Sequence, residues 1–199
     1  MTIADQLATL DPLVINNLIS QEYSLEKLLP ILGKERLSFE DFCALLSPSA
    51  ESLLTLMASR AHVLTRHHFG LAKQLYTPLY LSNACINQCL YCGFQAGLNV
   101  TPIILAEQDL TDNYVHLAKQ GFGHILLLTG EHPQKAGVAY VERSIALAKK
   151  YFSFVSLEVF PGTREDYTRY AQAGAGGVTL YQETYDPTLY KHLHPKGPK

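Results

Sequence analysis

Two hydrophobic periods divide the chain. Up to about residue 75, apolar side chains recur at helical spacing: Leu13, Ile15, Leu18 and Ile19 make one patch, and Leu25, Leu28, Leu29 and Leu32 another before Gly33. Ser38 with Asp41 is an N-cap pair for a helix whose Phe39, Phe42, Cys43 and Leu46 fall at i, i+3, i+4 and i+7, which predicts a buried face. Pro48, beside Ser49 and Glu51, suits the first turn of a long helix through Leu53, Leu56, Met57, Ala61, Val63 and Leu64 towards Phe69. From residue 76 the pattern changes: strands at 77–83, 124–129, 154–160 and 177–181 alternate with helices at about 104–120, 138–151 and 163–173, and a short helix follows Asp186. The run from His124 to Thr129 is continuously apolar after its first residue, as in a parallel strand buried on both faces. Four βα repeats in about 120 residues have the repeat length of a TIM-type barrel, which needs eight in about 250. The reading is α/β: a partial TIM-type barrel of about four βα units at 76–199, preceded by a helical N-terminal region at 1–75.

Alternation assigns each strand an inner and an outer face. In the third strand Val155, Leu157 and Val159 face the helices, leaving Ser156 and Glu158 inside. In the fourth, Val178 and Leu180 face out, so Thr179, Tyr181 and the following Glu183 point inward. The second strand runs into Thr129-Gly130-Glu131, and the first into a cysteine-rich turn. Active sites of such barrels lie at the C-terminal ends of the strands, where Glu131, Glu158 and Glu183 are expected to converge.

A content of 47% hydrophobic and 17% charged residues describes a globular chain that buries a core. A formal charge of −2 gives no reason to expect nucleic acid or an anionic membrane as partner. The longest apolar stretch, within Gly123–Thr129, is far too short to span a bilayer, and Met1-Thr-Ile-Ala-Asp-Gln lacks the layout of a secretory signal. Clustered cysteines without such a signal point to a reducing, cytoplasmic setting and a metal site instead of disulfides.

Those cysteines are Cys85, Cys89 and Cys92, spaced C-x3-C-x2-C with Tyr91 just before the third. Three thiolates this close wrap around one inorganic centre from a single loop. Iron–sulfur cubanes usually take four cysteines, so three leave one iron open to a substrate or cofactor. The competing reading is a zinc knuckle, which needs a fourth soft ligand. Cys43, the remaining cysteine, sits on the predicted buried helix face. A histidine could complete a zinc site, although the His67-His68 pair reads as solvated helix residues. On spacing alone both readings stay open.

The stretch Leu81–Phe94 resembles the cluster motif of the radical S-adenosylmethionine (SAM) enzymes. Segments 75–83, 85–94, 123–135, 156–159 and 181–185, with the closing His194-Pro-Lys-Gly-Pro-Lys199, resemble the radical SAM tyrosine lyases of the 2-iminoacetate synthase family. That family serves thiamine thiazole synthesis, and the match covers most of residues 60–199. The resemblance implies that Cys85, Cys89 and Cys92 hold a [4Fe–4S] cluster whose free iron chelates S-adenosyl-L-methionine, with Tyr91 near the adenine. Gly130-Glu131 resembles the motif receiving the SAM ammonium, Glu158 would reach its ribose or amino-acid part, and Gln182 and Glu183 would face the cofactor or substrate pocket. Carboxylates suit a ligand whose sulfonium and ammonium are both cationic. The implied reaction abstracts hydrogen from the amino group of L-tyrosine and breaks its Cα–Cβ bond, giving 2-iminoacetate and p-cresol. The implied partners are the substrate and a thiazole synthase or a complementary C-terminal half. Family members extend well past residue 199, so the chain alone is expected to load a cluster and bind SAM weakly. Two other readings are a tyrosine lyase of hydrogenase maturation, which carries a second, C-terminal cluster, and a non-catalytic cluster- or zinc-binding module acting with a partner chain.

Overall fold

The computed structural model describes residues 9–199; the helical reading of residues 1–8 lies outside the described residues. Contacts divide the chain into two compact units, Met1–Lys73 and Gln74–Lys199.

The first unit carries α1 (Pro12–Ser20), α2 (Leu25–Leu32), α3 (Phe39–Leu45), a 3-10 turn (Pro48–Leu53) and α4 (Leu54–Phe69). Local chemistry sets the helix starts. Asp11 accepts from the Leu13 N–H (2.8 Å), and Ser38 and Asp41 form a reciprocal capping box, each accepting the other's backbone N–H. Lys34 donates to Asp41 (2.7 Å); that bond and those from Ser38 hold the Asp41 carboxyl below its ordinary value. The core is small: Leu28, Ile31, Ala44, Ala50 and Leu53. Two expectations fail here. Of the predicted α3 stripe only Cys43 is buried, with Phe39, Phe42 and Leu46 between 41% and 52% exposed, because α3 is two turns long and turns only its Cys43-Ala44 edge inward. Leu25 and Leu29 are exposed for the same reason, α2 burying only Leu28 and Ile31, and Leu13 is exposed on α1, which buries no residue fully. The long helix from Pro48 begins instead as the 3-10 turn, which buries Ala50 and Leu53 and becomes α-helical at Leu54. Among the described residues no single helix is long and apolar enough to cross a membrane. One pair, Phe39–Leu45 with Pro48–Phe69, passes by length and composition together but is bent by 78°.

The second unit is a parallel sheet in the order β1-β2-β3-β4, formed by Tyr76–Ser82, His124–Thr129, Phe154–Glu158 and Gly177–Val178. Its helices are α5 (Glu107–Lys119), α6 (Pro133–Ala136), α7 (Val138–Ala148), α8 (Arg164–Ala173) and α9 (Pro187–Leu193). Leu81, Ile125, Leu127, Val155, Leu157 and Val159 pack against Leu110, Tyr114, Val141, Ile145 and Tyr170 from the helices, the outer face that alternation assigned to the third strand. Leu126 and Leu128, on the opposite face of β2, are also buried, which explains the unbroken apolar run. α8 opens in a Thr163–Asp166 capping box and stops at Gly174, whose φ of 110° is left-handed.

The fourth strand is shorter than the sequence pattern suggests. It ends at Val178, with one further rung from the Thr179 N–H to Leu157 O (2.7 Å). Val178 and Leu180, expected beneath helices, are 45% and 55% exposed. β4 is one edge of the sheet, with β1 the other, and among the described residues no strand pairs with its free side; α9 instead hydrogen-bonds back to the cysteine loop through Leu90 N–H to Leu193 O (3.0 Å).

Candidate cluster and cofactor site

At the C-terminal ends of the strands a cavity of about 410 Å³ is lined by Cys85, Cys89 and Cys92 together with Tyr91, Glu131 and Glu158. Gly130, Gln182, Glu183, Asn87 and Lys199 line it too. The structure therefore brings every predicted site residue to one place.

The cysteine loop has almost no regular structure, and backbone bonds shape it instead. The β1–β2 register slips between Tyr80 and Ser82, where the strand gives way to the loop. Gly130 N–H then donates to Ser82 O (3.0 Å) and Ile86 N–H to Glu131 O (2.8 Å), joining the loop to the turn after β2. A Cβ on Gly130 would stand 2.4 Å from Ala84 O, so this approach requires glycine. Cys92 N–H closes a turn onto Cys89 O (3.1 Å). On the other side the C-terminal segment clasps the loop: Gln88 N–H donates to Lys196 O (2.8 Å) and Lys199 N–H to Asn87 Oδ1 (3.1 Å).

Cys89 is buried, while Cys85 and Cys92 are partly exposed. Burial pushes the Cys89 thiol up, against the pull of Lys199 and Tyr91. Among the described residues no three His, Cys, Asp or Glu side chains are gathered closely enough to hold a single ion. Three thiols of one loop lining a single cavity are a donor set that suits an iron–sulfur cluster with one open iron.

The three carboxylates differ in their partners. Glu131 Oε2 accepts from Asn87 Nδ2 (2.7 Å). Glu183 is bonded by the Lys199 ammonium and lies 3.8 Å from His194 Nε2. Burial raises the Glu183 carboxyl, but the bond from the Lys199 ammonium outweighs it and the net direction is down; for Lys199 burial lowers and Glu183 raises, with the net direction up. Among the described residues the Glu158 side chain, at the end of β3, has neither a hydrogen bond nor an ion pair. The cavity wall thus holds three carboxylates against one ammonium, a balance suited to a cationic ligand. Tyr91 is half exposed, with its hydroxyl 2.7 Å from His194 Nε2; burial and then Glu183 hold the phenol above its ordinary value, so it stays protonated. Gln182 donates to Thr184 O (3.0 Å).

Asn87, His194 and Lys199 carry no catalytic or binding pattern of their own in the sequence; their one signal is placement, Asn87 inside the cysteine motif and the other two in a Pro- and Gly-rich closing segment.

No family model matches the chain. It is 40% identical over 168 residues to 2-iminoacetate synthase of Escherichia coli K12, covering 84% of this chain and 45% of that protein. It is 30% identical over 165 residues to 3-methylornithine synthase of Methanosarcina acetivorans, covering 79% and 46%. The crystal structure of HydG, a maturase of the [FeFe]-hydrogenase, superposes with a TM-score of 0.85 at 24% identity, covering 94% of this chain and 44% of that one. HydG from Carboxydothermus hydrogenoformans gives a TM-score of 0.77 at 28% identity, covering 87% and 42%. The chain therefore spans about half the length of the curated relatives it matches. By sequence it is a partial-length relative of 2-iminoacetate synthase, carrying part of the barrel fold of the radical SAM proteins.

Proposed function

We propose that the chain forms the cluster- and SAM-binding part of a cytoplasmic radical SAM lyase that cleaves L-tyrosine to 2-iminoacetate and p-cresol for thiazole synthesis. The observation that carries this reading is the shared cavity, in which three cysteines of one loop face three carboxylates from the ends of other strands. Identity of 40% to a 2-iminoacetate synthase, against 24% and 28% to the two HydG structures, favours this lyase over the hydrogenase-maturation type.

When bound, a [4Fe–4S] cluster with SAM would supply the radical chemistry for hydrogen abstraction from the substrate amine. Cys85, Cys89 and Cys92 would hold that cluster. Glu131, fixed by Asn87, would accept hydrogen bonds from the SAM ammonium beside Gly130. Glu158, whose side chain has no partner among the described residues, would take the ribose hydroxyls. Tyr91 would lie along the adenine. Glu183 and Gln182 form the wall on the β4 side, where Lys199 keeps Glu183 ionised and in place. The protein's part is to orient these groups and exclude water. A thiazole synthase, or a chain supplying the remaining βα units, would be the partner.

The test is anaerobic reconstitution with iron and sulfide. The expected result is a visible iron–sulfur absorbance, weak SAM binding, and 5′-deoxyadenosine on reduction. Uptake of tetrahedral zinc in preference to iron and sulfide would overturn the reading.

A further inference from the structure

Tyr91 lies between two of the candidate cluster ligands, and its hydroxyl is held from the far end of the chain. His194 follows α9 and is 7% exposed. Its Nδ1 lies 2.7 Å from the Tyr190 carbonyl oxygen, which can only accept, so Nδ1 carries a proton. In the neutral ring Nε2 is then a bare acceptor, and it lies 2.7 Å from the Tyr91 hydroxyl, which donates to it. The rings meet edge-on, with centroids 5.5 Å apart at 86°, while the His194 ring leans on Tyr190 at 4.1 Å. Backbone bonds on either side of Tyr91 come from the same segment: Leu90 N–H reaches Leu193 O (3.0 Å) and Gln88 N–H reaches Lys196 O (2.8 Å).

We infer that His194 is a positioning residue: its backbone-fixed tautomer pins the Tyr91 hydroxyl and thereby sets the Cys89–Cys92 turn and the aromatic face offered to the adenine-bearing cofactor. His194 acts through Tyr91 and does not line the cavity. The inference rests on the proposed cluster- and SAM-binding role, and its test separates the two.

The decisive variants differ in reach. His194→Gln extends as far as Nε2 and restores an acceptor for Tyr91. His194→Asn reaches only the Nδ1 position and keeps the donor to Tyr190 O. In the reconstituted full chain, SAM affinity and the SAM-induced change in the electron paramagnetic resonance of the reduced cluster are read for wild type, both variants, Tyr91→Phe and Tyr91→Phe/His194→Asn. His194→Asn should weaken SAM binding about tenfold, at the low end for loss of a residue that orients a ligand. His194→Gln should recover it, and Tyr91→Phe/His194→Asn should be no weaker than Tyr91→Phe alone. If His194→Asn does not fold, Tyr91→Phe decides, since it removes only the hydroxyl and must show the same tenfold loss. Wild-type affinity in His194→Asn or Tyr91→Phe, equal damage by Gln and Asn, or losses that add in the double variant would each overturn the inference. A wild-type chain that takes up neither cluster nor SAM overturns the functional reading instead. The inference then still has its own measurement in the apo chain, where nitrogen-15 NMR of labelled histidine should show Nδ1–H protected from exchange; the Nε2–H tautomer would sink it.

Discussion

The two sides of the cavity were written in similar apolar alternation and folded differently. On the β1–β2 side the strands pair over six rungs, the following turns are tied by backbone hydrogen bonds, and Leu81 and Leu127 are fully buried. On the β4 side pairing covers two rungs and Leu180 is 55% exposed. A period-two sequence is a request for a strand, and the request is met only where a neighbour supplies the ladder and a helix supplies the cover. The cavity inherits that asymmetry: its cysteine wall follows a strand paired over six rungs, and the opposite wall follows one paired over two.

Truncation of a covered and an uncovered leucine should give the largest contrast. Leu157→Ala, on the covered face of β3, should cost about 2–5 kcal/mol by urea unfolding, whereas Leu180→Ala should stay within about 0.5 kcal/mol. Equal costs would mean that the β4 side is packed after all. Glycine replacement tests the same division at the backbone. A Cβ on Gly130 would stand 2.4 Å from a backbone oxygen, while at Gly177 the nearest atom is 3.7 Å away. Gly130→Ala should cost about 1–3 kcal/mol and impair cluster uptake on reconstitution; Gly177→Ala should retain uptake. A smaller effect is expected away from the cavity, where Thr163→Ala removes the α8 cap and should lower stability by about 1 kcal/mol in the same unfolding assay.

What could be read from the sequence follows the range of the forces involved. Helix caps depend on neighbours three residues apart, so Ser38–Asp41 and Thr163–Asp166 were legible and hold. The faces of β3 were legible because side-chain alternation needs no knowledge of the rest of the fold; Val155 and Leu157 pack on the helices and Glu158 reaches the cavity. The cysteine spacing was legible as a single loop, and its three thiols line one cavity. The α3 stripe was not, because Phe39, Phe42 and Leu46 would need a partner surface that their spacing does not reveal. Nor were the hydrogen bonds from Asn87 to Glu131 or from Tyr91 to His194, which join residues 44 and 103 positions apart. Polar clasps of that separation leave no periodic trace.

The smallest predicted effect lies at the opposite end of the closed side. His124 opens β2 with its ring between Tyr76 (centroids 5.3 Å) and Phe154 (4.7 Å), and its Nε2 is 2.7 Å from Ser156 Oγ. Its Nδ1 is buried without a partner, so a second proton there would find no acceptor. Burial lowers the His124 pKa from the ordinary 6.5. The unfolded chain therefore takes up a proton near that pH that the folded chain refuses, and stability contributed by neutral His124 is complete above 6.5 and declines as pH falls from there towards the folded pKa. Urea midpoints measured from about pH 7.5 down to about 5.5 should fall more steeply in wild type than in His124→Gln, which keeps a polar contact for Ser156 but does not titrate. If the variant instead fell more steeply, the folded chain would have to bind the proton at His124. An acceptor for Nδ1 would then exist, and the lower end of the sheet would be as open to polar partners as its β4 edge.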